Sequence, residues 1–121
     1  MKVFHRDHKI NFVDSNNVLV GFDYSQNCCE NFGYSILKKP AETFNQVING
    51  ESPDYIAECY SFDTTFNEVT VWGDEEYSVL FRLISPRKID LYLYLYNAHN
   101  GYYSHGFTMQ SKTKTIYDGE V

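Results

Sequence analysis

Between residues 89 and 96 the chain reads Ile-Asp-Leu-Tyr-Leu-Tyr-Leu-Tyr. Ile89, Leu91, Leu93 and Leu95 alternate strictly with Asp90, Tyr92, Tyr94 and Tyr96. Successive side chains of a β-strand point to opposite faces, so a period of two held over eight residues predicts a strand. The leucine side must look into a core. The tyrosine side then carries three rings in a row, which another element either covers or leaves as a surface.

The same alternation flanks this segment. Tyr77, Val79, Phe81 and Leu83 alternate with Ser78, Leu80, Arg82 and Ile84, and Tyr103, His105, Phe107 and Met109 share one side of a third run. Ser85-Pro86-Arg87-Lys88 turns the chain between the first two runs. Asn100-Gly101 supplies the positive φ for a turn before the third. The expectation is a three-strand meander over residues 77–110.

Upstream, residues 3–13 read as a strand or a hairpin. Asp14-Ser15-Asn16-Asn17 reads as a turn whose side chains hydrogen-bond nearby backbone. Residues 18–24 form a strand with Val18, Val20, Phe22 and Tyr24 on one face, and residues 32–37 form another. Residues 55–62 and 67–72 read as a hairpin around Asp63-Thr64-Thr65-Phe66, with the end of a short helix as the alternative for residues 55–58, and a turn at residues 73–76. Residues 115–117 add a last edge strand before a polar tail. One segment has a helical pattern, residues 40–49. Proline suits the first turn, Glu42 complements the macrodipole, Phe44, Val47 and Ile48 make one apolar stripe, and Gly50 is a stop.

The class that follows is α+β, mainly β: an antiparallel sheet with a C-terminal three-strand meander and one short helix, about residues 40–49, packed on it. The 17% of aromatic residues, 11 Tyr and 9 Phe among them, fit a pleated, half-buried surface. With 121 residues, the chain is expected to form a single domain over residues 1–121 that needs no staples.

Charge narrows the function. Sixteen acidic residues against ten basic ones leave a net −6, which repels phosphate backbones and suits a basic protein partner. No stretch approaches the roughly 20 apolar residues of a membrane span, and the first eight residues do not begin a signal peptide. Three cysteines, two of them adjacent, are not a secreted disulfide framework. A cytoplasmic protein with a protein partner, no nucleic acid and no membrane is the expectation.

Two readings of the tyrosine face stay open. Either the helix over residues 40–49 covers it, or Tyr92, Tyr94 and Tyr96 anchor a partner, a task to which tyrosine is suited. In the second reading Asp90, Glu75 and Glu76 add acidic contacts, Tyr102 and Tyr103 add further rings, and a strand edge offers a site for β-augmentation. Cys28 and Cys29 would point to opposite faces of a strand, so their spacing does not make a metal site. With Cys59 and His5, His8, His99 and His105 a site would have to be gathered by the fold, and buried inert thiols are the expected state. No catalytic residue, metal or cofactor is assigned. Cys29 and His105 have the chemistry of a catalytic pair, and Glu68 and Asp90 are carboxylates able to orient a histidine. A Cys/His-dependent or metal-dependent enzyme around Cys28, Cys29, His99 and His105 is therefore an alternative.

Two segments carry a resemblance. Gln26-Asn27-Cys28-Cys29-Glu30, after a strand, resembles a Gln-Asp-Cys-Cys-Glu signature, with Asn27 in place of the aspartate. Asn100-Gly101-Tyr102-Tyr103-Ser104 resembles the Asn-Gly-Tyr-Tyr-Ser turn of the same group, a family of small β-rich proteins of bacteria and their phages. The resemblance implies a bacterial or phage setting. By size and charge the chain also looks like the immunity proteins that neutralise bacterial toxins. An immunity-type protein that binds a toxin domain is the expected function, with a phage-encoded inhibitor of a host defence enzyme as alternative.

Overall fold

The computed structural model describes residues 1–25, 31–98 and 104–121, and among them lie nine strands and one short helix. β1 (Lys2–Arg6) and β2 (Lys9–Val13) form a hairpin. Its two turn residues, Asp7 and His8, have φ of 54° and 62°, the left-handed geometry whose twist matches the flanking strands. After the turn at residues 14–17 comes β3 (Leu19–Asp23), and β8 (Gly106–Gln110) and β9 (Thr115–Glu120) complete an antiparallel sheet ordered β1-β2-β3-β8-β9. A second antiparallel sheet is ordered β4-β7-β6-β5, from β4 (Asn31–Leu37), β5 (Ser61–Gly73), β6 (Glu76–Ile84) and β7 (Leu91–Ala98). The fold is mainly β. Among the described residues no helix is long and apolar enough to cross a membrane.

The alternation of each strand explains why the two sheets stack. Ile10, Phe12, Val20, Phe22, Phe107 and Met109 of the first sheet meet Val79, Phe81, Leu83, Leu93 and Leu95 of the second in one buried cluster. Rings lock edge to face across the gap, Phe12 with Tyr34 at 5.2 Å and Phe81 with Phe107 at 6.0 Å. Each such side chain contributes about 1.5–3 kcal/mol by leaving water. One carboxylate also ties the sheets. Asp14 is buried, and while Oδ1 accepts from the N–H groups of Asn16 and Val18, Oδ2 accepts from the N–H of Phe62 at 2.9 Å.

A second, smaller core lies on the outer face of the four-stranded sheet. There α1 (Phe44–Ile48) sets Phe44 and Val47 on Leu80, Tyr94 and Tyr96. The helix is shorter than the expected residues 40–49. Thr43, not Pro40, opens it, because Thr43 and Gln46 form a reciprocal capping box that satisfies the first N–H groups. Glu42 therefore lies before the first turn.

Three further expectations are corrected. The third strand of the anticipated meander, β8, pairs with β3 and β9 in the other sheet. Both flanks of β7 are already taken by β4 and β6, and alternation says which side of a strand is buried, not which neighbour it takes. The meander that does form is β5-β6-β7. Residues 63–66 do not turn the chain back either. They are an insertion within one long β5, where the register against β6 slips between Phe62 and Asn67. Asp63 folds it locally by accepting from the N–H and hydroxyl of Thr65, with Arg82 at 3.5 Å from the carboxylate and 4.4 Å over the Phe66 ring. Those Thr65 hydrogen bonds, then Arg82, hold the Asp63 carboxyl below the usual range. The polar tail, finally, is strand β9 followed by a buried Val121.

Burial raises the hydroxyl pKa of Tyr24, Tyr34, Tyr60, Tyr94 and Tyr96 above the usual value near 10. Unfolded tyrosines ionise near pH 10, whereas the folded ones resist. Their contribution to stability is therefore complete below about pH 10 and is lost as the pH rises through the folded values. Urea midpoints are expected to hold steady near pH 8 and to fall steeply by about pH 11. A flat profile would show that these hydroxyls are free to ionise in the fold.

Candidate interaction surface

The tyrosine ladder is mostly a floor. Tyr94 and Tyr96 are 2% and 9% exposed beneath α1, and the Tyr94 hydroxyl accepts from the N–H of Ala41 at 2.8 Å. Tyr96 lies over its cross-strand partner Gly33, where an added Cβ would stand 2.8 Å from the hydroxyl. Only a residue without a side chain leaves room for that ring. Tyr92 is half-buried at the margin of the same cluster. Burial thus takes Tyr94 and Tyr96 out of any surface that a partner touches in this conformation. Tyr102 and Tyr103 lie outside the described residues, as do Cys28, Cys29 and His99.

The acidic candidates separate. Asp90 sits between β6 and β7 beside Arg87 and Lys88, whereas Glu75 and Glu76 are at the opposite end of the sandwich, in the turn from β5 to β6. The ends of the two sheets coincide. Phe62 reaches Asp14 at one end, and Phe32 stacks on His105 at 4.2 Å at the other. Charge follows this axis. The end holding Asp90 also carries Lys2, Lys38, Lys39, Arg87, Lys112 and Lys114, with Glu58 and the buried Asp14 as local acids. The other end carries Asp74, Glu75 and Glu76 on one sheet, and Asp23, Asp118 and Glu120 on the other, with Arg6 and Lys9 as local counter-charges.

On that acidic end the five-stranded sheet has a shallow groove of about 580 Å³, lined by Lys9, Asp23, Ser104, Thr108, Asp118 and Glu120 around Gly21, Gly106 and Gly119. Gly21 helps to keep it open, where a Cβ would stand 3.3 Å from Asn11 Oδ1, whereas a Cβ on Gly119 would meet the core ring of Phe107 at 2.9 Å. Ser104 donates to Glu120 at 3.0 Å. Carboxylates around a floor of backbone are suited to guanidinium and ammonium groups. Its signal in the sequence is faint, since Asp118-Gly119-Glu120 reads as part of a polar tail.

The other feature missed in the sequence is the edge of the second sheet. β5 is its outermost strand. Val69 and Val71 are 50% and 63% exposed, although they belong to the sandwich-facing row, with Val79 and Tyr77 as ladder partners. Their alternation with Glu68 and Thr70 predicts a strand but not that its inner face is uncovered.

The cysteine and histidine candidates do not assemble among the described residues. His105 is buried against Phe32 and Phe22, with Nδ1 at 2.6 Å from the carbonyl oxygen of Asp23. His5 packs edge-on against Tyr24 and His8 lies in the exposed hairpin turn. Cys59 is exposed, contrary to the expected buried thiol. Among the described residues no group of three or more His, Cys, Asp or Glu side chains is placed to hold a metal ion. Comparison with protein-family models, with curated proteins and with solved structures gave no match.

Proposed function

We propose that this chain is a small acidic binding protein of the immunity type, which neutralises a basic toxin domain by receiving it on the acidic end of the sandwich. The observation that carries this reading is the distribution of charge along the strand axis: Asp23, Asp118 and Glu120, on the outer face of the five-stranded sheet, lie at the same end of the sandwich as Asp74, Glu75 and Glu76, while most of the lysines lie at the other end. A concentrated acidic surface steers a basic partner to one face and suppresses nucleic-acid binding. The buried tyrosines play no part in this reading, and the exposed Val69 and Val71 take over as apolar anchors next to the charge. The resemblance of the Gln26–Glu30 and Asn100–Ser104 segments supports a bacterial or phage setting, and a cytoplasmic location goes with it. A phage-encoded inhibitor of a host defence enzyme would use the same surface, and only the partner separates the two.

Affinity capture from the native host, with mass spectrometry of what is bound, tests the proposal. A basic protein is expected on the wild type and on Lys112→Glu/Lys114→Glu, and is expected to be lost from Asp74→Lys/Glu75→Lys/Glu76→Lys and in high salt. A toxin among the captured proteins supports the immunity role, and a defence enzyme the phage role. Capture indifferent to reversal of the acidic end would sink both.

A further inference from the structure

Strand β5 has β6 on one side, and among the described residues no strand pairs with its other side. A free edge presents unpaired N–H and C=O groups to any extended segment. Edges are usually guarded by lysine or another charge, by proline, by a β-bulge or by a covering element; β5 contains neither lysine nor proline, and its two irregularities flank residues 67–71. Its regular ladder is short. The register slips between Phe62 and Asn67 and again between Val71 and Gly73, so residues 67–71 form the one uninterrupted run. Within it the two faces differ. Val69 and Val71 leave apolar surface open on one, and Glu68 stands exposed on the other. Just past the run, Asp74, Glu75 and Glu76 add three more negative charges.

We infer that this edge takes up an extended segment of the basic partner as a fifth strand of the four-stranded sheet. The inference rests on the proposed function. The segment has apolar side chains at alternate positions to cover Val69 and Val71, and basic side chains on its other face and at its end to meet Glu68 and the turn. A second copy of this chain lacks the complementary charge. Antiparallel self-pairing about Thr70 would set Trp72 opposite Glu68, and Phe66, Thr65 and Thr64 opposite Asp74, Glu75 and Glu76, so neither acidic group would meet a basic side chain.

The probe is an acetylated, amidated peptide of alternating valine and lysine, with a valine–glutamate peptide as control, added to ¹⁵N-labelled protein. The valine–lysine peptide is expected to shift the amides of residues 67–71 and slow their exchange with solvent, and the control to leave them unmoved. Glu68→Lys and Val71→Lys should each weaken binding at least tenfold, and their own spectra show whether they fold. Shifts confined to Asp23, Asp118 and Glu120 would overturn the edge inference and leave the acidic-end reading standing. No shift on either surface would overturn both. Light scattering that finds a wild-type dimer, made monomeric by Val71→Lys, would give the edge to a second copy and overturn the inference.

Discussion

Replacing Asp14 with alanine is expected to cost about 3 kcal/mol of stability and lower the melting temperature by roughly 10 °C. The carboxylate is 4% exposed and is the acceptor for three backbone N–H groups. Asn16 is exposed, so its N–H can turn to water. Val18 and Phe62 are buried at 6% and 4%, and an N–H left unpaired at such a place costs about 1–3 kcal/mol. The position also has a sense of direction. Asp14→Asn keeps one acceptor for the turn but directs an NH₂ toward the N–H of Phe62, so about half of the loss is expected. Denaturant melts of the three proteins check this. If alanine is tolerated within about 0.5 kcal/mol, the tie between the sheets carries no stability.

The second large effect concerns the ladder. Tyr94→Ala removes a ring packed among Phe44, Val47 and Leu80, and a loss of about 3–5 kcal/mol is expected for an aromatic deleted from a core. Tyr94→Phe keeps the ring and removes only the acceptor for Ala41, a loss of about 1 kcal/mol. A ladder that served as an exposed anchor would behave differently, since surface substitutions stay within about ±0.5 kcal/mol. The contrast between the two variants therefore separates the two readings of the tyrosine face by stability alone.

These residues also show how far the sequence reaches. The alternation of residues 77–84 and 89–96 predicts β6 and β7, and the inward rows Val79, Phe81, Leu83 and Leu93, Leu95 are fully buried as their period demands. The stripe Phe44, Val47, Ile48 predicts the covering helix. Strand order was not legible, because β8 buries Phe107 and Met109 equally well beside β3 as beside β7. Residues 63–66 have the composition of a turn, yet Asp63 spends its hydrogen bonds on Thr65 and leaves the chain to run on as β5. The candidate site was legible only in part. Glu75 and Glu76 stand out by residue type alone, but Asp23 comes to the side of Asp118 and Glu120 only through the pairing of β3 with β8, distant in sequence. Asp90 shares their residue type but lies at the far end of the sandwich.

The most direct test is a hydrogen–deuterium exchange footprint of the protein with whatever partner it captures. Protection is expected at residues 67–76 and 118–120, with the helix at 44–48 and the turn at 111–114 unchanged. Protection centred on the helix or on the lysine-bearing end would contradict a partner-binding surface built on the acidic end.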